Sequence, residues 1–285
     1  MTILDRRLHA YREDLADTRL QGRVAAPRFV SPRVRRIASP VVDLLVGPDR
    51  ASGVNSQLLR GADVDLFDER GGLAWVQARE DGYVGYVDAK VLAEPGPAAT
   101  HVVVAPRTFV YGKPDMKTPR TAALSMGTRL SVTGEAETRG SRFAITADGE
   151  AVFADHLRPV GWGAPDYVAV AEQFEHTPYL WGGTSGFGLD CSGLVQLAMK
   201  MAGTVVLRDS DMQEKIGAPL DPGPDFQAVR RGDLVFWKGH VAIVTAPGEV
   251  LHANGNTMTV AREPLSAAIA RIAPLFGAPT VIRRP

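Results

Sequence analysis

The chain has 285 residues, 45% of them hydrophobic, which is enough for two or three domains with cores of their own. Its 32 basic and 32 acidic residues balance, which argues against nucleic acid or an anionic membrane surface as a partner. The single cysteine rules out an internal disulfide, and with it a disulfide-stapled secreted scaffold.

The amino-terminal segment, residues 1–35, is predicted to be an extension ahead of the first domain. It carries charges throughout and has no apolar run of signal-peptide length. No stretch of the chain approaches the roughly 20 consecutive apolar residues of a membrane span. We therefore expect a cytoplasmic protein with no membrane partner.

An internal repeat follows this segment. Pro48 is matched by Pro114 and Gly61 by Gly127, both at an offset of 66 residues. A constant offset indicates two copies of one module. Short alternating runs broken by Gly and Asp predict about five strands per copy, and therefore two small β-barrels at residues 36–95 and 100–160. The matched segments are LLVGPD with FVYGKPD, LLRGADVDL with LSMGTRLSV, and DGYVGYVDAKVL with DGEAVFADHL.

The last domain is predicted to span residues 163–285 and to have an α+β fold. Apolar residues from Val168 to Phe174 share one face of a first helical stretch. An amphipathic helix follows Cys191 and closes at Gly203. Four strands are then predicted, in the segments GDLVFW, GHVAIVTA, EVLHANG and TMTVAR. We expect one helix packed on a mostly antiparallel sheet.

Cys191, the only cysteine, lies between a glycine-rich loop and the start of the predicted helix, in GLDCSG. The start of a helix favours an anion, so this position is expected to lower the thiol pKa from about 8.5 toward roughly 3.5–7.5. A thiolate there suits covalent catalysis. Free cysteines are more often inert and buried, so the neighbouring residues decide between the two interpretations.

Two histidines complete a candidate catalytic set. His240 opens the apolar strand HVAIV, and His252 follows in LHANG, so the two rings become neighbours if these strands pair. Cys191, His240 and His252 are thus candidates for nucleophile, general base and orienting residue. The other histidines lack metal-ligand spacing, and neither a metal nor a cofactor is expected.

The motifs YLWGGTSGFGLDCSGLVQ, RDSDMQ, RRGDLVFW, GHVAIV and LHAN together resemble the NlpC/p60 family of papain-like cysteine peptidases, which cleave peptidoglycan peptides. They occur in the order of the family over residues 165–285. The two modules ahead of them resemble bacterial SH3-like domains. The resemblance implies two SH3-like β-barrels followed by a papain-like α+β peptidase domain.

The same resemblance implies roles for individual residues. Cys191 is similar to the family nucleophile, His240 to its general base, and His252 to the residue that holds the base. Relatives with this domain order are similar to γ-D-glutamyl-L-diamino acid endopeptidases that recycle cell-wall peptides. We therefore expect stem peptides with a free amino-terminal L-Ala as substrates. The implied substrate-binding residues are Tyr83 in the first module and Trp181, Asp190, Ser192, Asp209 and Ser210 in the last domain.

Recognition of the substrate amine is expected to involve carboxylates. Asp190 is expected to pair with the L-Ala ammonium, so that a substrate lacking this ammonium leaves the carboxylate unpaired. The resemblance also implies an acidic residue from the first module, with Asp63 and Asp65 as candidates.

Each implied residue of the last domain also has a structural interpretation. Trp181 could belong to the core, and Asp190 or Ser192 could cap the helix. Asp209 or Ser210 could start another helix. Two other functions also stay open, namely another papain-like amidase or acyltransferase and a non-catalytic cell-wall peptide-binding protein. The sequence does not distinguish diaminopimelate from lysine in the substrate, nor does it indicate the oligomeric state.

Overall fold

The computed structural model describes residues 4–285, which belong to two compact units, Met1–Val160 and Gly161–Pro285. The first consists mostly of strands, and the second combines strands with four α-helices. None of the helices in the described range is long and apolar enough to cross a membrane.

The first unit is built from short strands joined by turns and short 3-10 helices. Seven of its strands form one sheet, in the order β5-β4-β8-β7-β6-β3-β9, and five form another, in the order β12-β11-β16-β15-β14. The strands are β1 (Ala16–Asp17), β2 (Phe29–Val30), β3 (Arg33–Ile37), β4 (Val41–Leu45), β5 (Val54–Leu59), β6 (Asp63–Arg70), β7 (Leu73–Ala78), β8 (Val84–Asp88), β9 (Leu92–Ala93), β10 (His101–Val103), β11 (Arg107–Tyr111), β12 (Arg120–Ser125), β13 (Arg129–Leu130), β14 (Val132–Thr138), β15 (Ser141–Thr146), β16 (Ala151–Phe153) and β17 (Leu157–Pro159).

The predicted repeat is confirmed by the strand order. The run β5-β4-β8-β7-β6 of the first copy and the run β12-β11-β16-β15-β14 of the second follow the same path. Equivalent turns also match, because Gly61 and Gly127 have φ angles of 85° and 87°, in the region that favours glycine. Closure of either sheet into a barrel, and an SH3-like fold for the second copy, stay predictions.

The segment ahead of residue 36 packs against the first sheet. Arg12 lies over the ring of Trp75, with its guanidinium carbon 4.5 Å from the ring centroid. Strand β3 also opens before the predicted boundary. Four buried side chains join this segment to the sheet, namely Ala10, Leu15, Phe67 and Trp75.

The second unit contains an antiparallel sheet with helices packed against it. Its six-stranded sheet has the order β20-β25-β21-β22-β23-β24. The elements are α1 (Tyr167–Glu172), β18 (Thr184–Ser185), β19 (Gly188–Leu189), α2 (Cys191–Met201), α3 (Ser210–Gln213), β20 (Ala218–Pro219), β21 (Leu234–Trp237), β22 (His240–Ala246), β23 (Glu249–Asn254), β24 (Thr259–Pro264), α4 (Leu265–Phe276) and β25 (Val281–Arg284).

The predicted helix at Cys191 and the four strands after it are confirmed. Strands β21 and β22 pair with Trp237 opposite His240, β22 pairs with β23, and β23 pairs with β24. Helix α2 packs on β22 and β23. The sequence analysis missed α4, so the expectation of one helix on the sheet is wrong. The sequence did contain a signal for α4, because Leu265, Ala268 and Ile272 recur at helical spacing, and all three are buried.

Candidate active site

A glycine-rich loop packs directly on the first turn of α2. Leu180 donates its amide to the carbonyl oxygen of Leu189 at 3.0 Å, and Asp190 donates to that of Gly183 at 3.1 Å. A Cβ added to Gly193 would lie 2.1 Å from the Gly183 oxygen, which leaves room for glycine alone. The loop and the helix start are therefore held in one arrangement by close backbone contact.

A buried ion pair fixes the position of this helix start. The Asp190 carboxylate accepts the amides of Gly182 at 2.9 Å and Gly193 at 2.7 Å. Arg208 is 1% exposed and donates to the two carboxylate oxygens of Asp190 at 3.0 and 2.6 Å. It also donates to the Ser192 hydroxyl at 2.8 Å. The interpretation of Asp190 as the helix cap is confirmed.

The reason given for a role of Asp190 toward the substrate ammonium needs correction, while the contact itself stays a prediction. Its carboxylate already has Arg208 as a cationic partner, so a substrate without an ammonium does not leave it unpaired. In the motif RDSDMQ, only Asp209 and Ser210 were selected from the sequence. The arginine and the glutamine of the motif hold the start of α2 in place, since Arg208 pairs with Asp190 and Gln213 donates to the carbonyl oxygen of Ser192 at 3.0 Å.

The predicted contact between the two histidines is confirmed. His240 Nε2 lies 2.8 Å from His252 Nδ1, and His252 is fully buried. On its other side, His252 Nε2 lies 2.7 Å from a carboxylate oxygen of Glu263 in β24. Arg271 of α4 pairs with the same carboxylate. Four side chains from four successive elements therefore form one row of hydrogen bonds.

The sequence analysis missed Glu263 and Arg271. His252 pairs across the strands with Ala261, so Glu263, two residues further on, is its diagonal neighbour on the same face of the sheet. If the pairing of β23 with β24 had been predicted, Glu263 could have been identified as a neighbour of His252. Arg271 could have been placed only with α4, whose helical spacing was present in the sequence but was not recognised.

The Cys191 thiol lies at the end of β22 that carries His240. The backbone amides of Val241 and Ser192 lie close enough to its sulfur to lower the pKa of the thiol, against the larger effect of desolvation. Val241 directly follows His240 in the chain, and α2 packs on β22. The structure thus brings the predicted nucleophile to the strand end where the predicted base begins.

Burial shifts both reactive groups toward their neutral forms. Desolvation, followed by the charge of Asp190, raises the pKa of the Cys191 thiol to about 12. Desolvation, followed by His252 and Arg271, lowers the pKa of His240 to about 3. The expected low thiol pKa is therefore wrong, because burial and an adjacent carboxylate outweigh the amides at the helix start. Desolvation thus favours the neutral thiol and the neutral imidazole.

We expect iodoacetamide to label Cys191 slowly at neutral pH and faster only in the alkaline range. The thiolate is the form that reacts, and a raised pKa means that it appears at higher pH. Intact mass measured between pH 5 and 10 reports this site alone, because the chain has one cysteine. Protein unfolded in guanidinium is the control, with a thiol pKa of about 8.5. A labelling rate already at its plateau at pH 6 would instead indicate a thiolate–imidazolium pair.

Tyr179 is a further neighbour of Cys191 that the sequence analysis did not select. Burial, followed by the charges of Cys191 and Asp190, raises the pKa of Tyr179 to about 12. Its hydroxyl therefore stays protonated at neutral pH and is a hydrogen-bond donor. The signal was present in the motif PYLWGG, from which only the tryptophan was chosen.

The other predicted substrate residues differ in exposure. Trp181 is 69% exposed, so its interpretation as a core residue is wrong, whereas Ser192 is buried. Asp209 precedes α3 without capping it through its side chain, and Ser210 opens that helix. Tyr83 is buried within the first unit. That these residues contact substrate stays a prediction.

Both acidic candidates of the first module already have cationic partners. Asp63 pairs with Arg36 at 2.8 Å. Asp65 is buried and pairs with Arg19 at 2.9 Å and Arg79 at 3.2 Å. These ion pairs argue against either residue as the carboxylate that receives a substrate amine.

Comparison with known proteins finds similarity in both units. Residues 176–271 match the NlpC/P60 family, and residues 44–92 match the bacterial dipeptidyl-peptidase SH3 domain. The γ-D-glutamyl-L-lysine dipeptidyl-peptidase of Bacillus cereus is 28% identical over 248 residues, which cover 76% of this chain and 72% of that protein. Dipeptidyl-peptidase 6 of Lysinibacillus sphaericus is 29% identical over 226 residues, which cover 74% of this chain and 78% of that protein.

One solved structure shares the fold over most of the chain. The crystal structure of an NlpC/P60 family protein from Bacillus cereus superimposes with a TM-score of 0.72 at 22% identity. The match covers 88% of this chain and 99% of that one. At this identity the likeness establishes the fold.

Proposed function

This chain carries an NlpC/P60 domain behind a bacterial SH3 domain, and on that premise we propose that it is a cysteine peptidase of peptidoglycan peptides. One observation carries the proposal. Cys191 begins α2 against the end of β22 where His240 lies, and His240 is hydrogen-bonded to His252 at 2.8 Å. A nucleophile, a base and a group that orients the base are the parts that acyl transfer through a thiol requires.

The neutral forms of Cys191 and His240 suggest how the reaction starts. The imidazole of His240 takes the thiol proton as the sulfur attacks the amide carbonyl, and a tetrahedral oxyanion forms. Backbone amides at the start of α2, and the protonated hydroxyl of Tyr179, are the donors near this position. The imidazolium then gives its proton to the departing amine, and water hydrolyses the acyl-enzyme.

We further propose that the bond cleaved joins γ-D-glutamate to a diamino acid in a stem peptide with a free amino-terminal L-Ala. Relatives from Bacillus cereus and Bacillus subtilis are named γ-D-glutamyl-L-lysine dipeptidyl-peptidases. A dipeptidyl-peptidase releases two residues from an amino terminus, which supports a preference for a free amine. Free stem peptides arise during wall turnover, and the cytoplasm is the location that we propose for their cleavage.

Hydrolysis of four defined peptides tests this proposal. They are L-Ala-γ-D-Glu-L-Lys, its meso-diaminopimelate counterpart, and the N-acetylated form of each. We expect L-Ala-γ-D-Glu and the free diamino acid as products by mass spectrometry, with kcat/KM lower by at least about 10²-fold for the acetylated peptides. The Cys191→Ala protein is the control for hydrolysis by contaminants. No product from any peptide would contradict the peptidase, whereas equal kcat/KM values for free and acetylated peptides would contradict only the free-amine preference.

A further inference from the structure

A carboxylate outside the three predicted catalytic residues continues the row of hydrogen bonds that begins at His240. His240 Nε2 lies 2.8 Å from His252 Nδ1, and His252 Nε2 lies 2.7 Å from Glu263 Oε1. Glu263 comes from β24, and Arg271 reaches the same carboxylate from α4. The carboxylate is partly buried, with 21% of the Glu263 side chain exposed.

The charge of this carboxylate determines which ring nitrogens carry protons. The hydrogen bond from His252, with that from Arg271, outweighs desolvation and lowers the pKa of Glu263 to about 2. An ionised carboxylate only accepts hydrogen bonds, so His252 must carry its proton on Nε2. When His252 carries only this proton, its Nδ1 atom is an acceptor and His240 donates to it from Nε2. The lone pair of His240 is left on Nδ1.

We propose that Glu263 is a positioning residue that sets the tautomers of both histidines and thereby makes Nδ1 of His240 the atom that takes the Cys191 proton. The role in proton transfer rests on the proposed peptidase function, whereas the tautomers themselves do not. In the reverse arrangement, His252 would donate from Nδ1 to His240 Nε2. The His240 proton would then sit on Nδ1, where it prevents that nitrogen from acting as a base.

Arg271 holds this acceptor in place, because it donates to the Oε1 atom of Glu263 that also accepts from His252. In a Glu263→Gln variant, the amide oxygen can take the position of Oε1 and accept from both groups, so the tautomers should be kept. A Glu263→Leu variant has no acceptor for His252 Nε2. The His252 proton is then no longer held on that nitrogen, and the reverse arrangement, with the His240 proton on Nδ1, becomes accessible.

The test is Glu263→Leu in the full chain, assayed on the free tripeptide, with Glu263→Gln as the conservative variant. We expect kcat of Glu263→Leu to fall by at least about 10-fold, with KM nearly unchanged, because the reverse tautomer removes the base and leaves binding intact. Glu263→Gln should recover most of this kcat. The matched control is Glu249→Leu. This residue lies on β23 with His252, but its carboxylate is engaged with Arg262 at 3.0 Å, and kcat should not change.

The second readout is the protonation of the rings, measured by 15N NMR on histidine-labelled protein. In the unmutated chain and in Glu263→Gln we expect the His252 proton on Nε2 and a bare Nδ1, and in Glu263→Leu a population with the reverse. A His252 proton on Nδ1 in the unmutated protein overturns the inference, even if the variant fails to fold. Unchanged tautomers and an unchanged kcat in Glu263→Leu overturn it too. A protein without peptidase activity contradicts the proposed function instead, and leaves the tautomers measurable.

Discussion

Cys191→Ala and His240→Ala are each expected to reduce kcat for stem-peptide hydrolysis by about 10⁴- to 10⁶-fold. The nucleophile and its base act as one unit, so removal of either leaves the other with no reaction to support. The double variant should therefore be no slower than either single variant. Initial rates measured by mass spectrometry, with thermal unfolding to verify folding, provide the comparison.

The matched control for these variants is His101→Ala in β10 of the first unit, where the imidazole contacts Thr100 at 2.9 Å. Its hydrolysis rate should equal that of the unmutated protein. Residual activity above background in Cys191→Ala would contradict the thiol mechanism. A double variant whose loss is the product of the two single losses would show that Cys191 and His240 act independently.

The parts of the site that follow from local patterns were predictable. The alternating strands of β22 and β23 gave the contact between His240 and His252, because an antiparallel hairpin sets which residues face each other. The helical period after Cys191 likewise located α2. To predict Glu263, the register of β24 on β23 was also needed, and to predict Arg271, helix α4 was needed as well.

Burial was the part that the sequence did not reveal. Arg208 stands in a polar motif, and arginine is almost never fully buried unless it is paired. Nothing local indicates that it enters the interior to meet Asp190, which lies 18 residues earlier in the chain. The thiol pKa was mispredicted because desolvation of Cys191 and the nearby charge of Asp190 oppose the effect of the helix start. A helix start is visible in the sequence, whereas these two opposing effects are not.

Arg208→Met is expected to lower the free energy of unfolding by about 3–5 kcal/mol. Arg208 and Asp190 are 1% and 11% exposed in their side chains, so removal of the cation leaves a buried carboxylate without charge compensation. The variant should also lose activity. The charge of Arg208 favours the thiolate of Cys191, and the same guanidinium holds Ser192 in the first turn of α2. Denaturant unfolding and kcat on the free tripeptide are the measurements.

The control is Arg231→Met, because Arg231 pairs with two carboxylates of the same unit, Asp166 and Glu172, but its own side chain is 39% exposed. Exposed pairs are worth about 0–1 kcal/mol each, so this variant should lose less stability than Arg208→Met. A second variant, Arg208→Met with Asp190→Asn, removes the uncompensated charge and keeps an oxygen for the amides of the helix start, so it should recover part of the stability. Equal losses for Arg208→Met and Arg231→Met would contradict the buried pair. They would also support the original prediction that the Asp190 carboxylate pairs with the ammonium of the substrate.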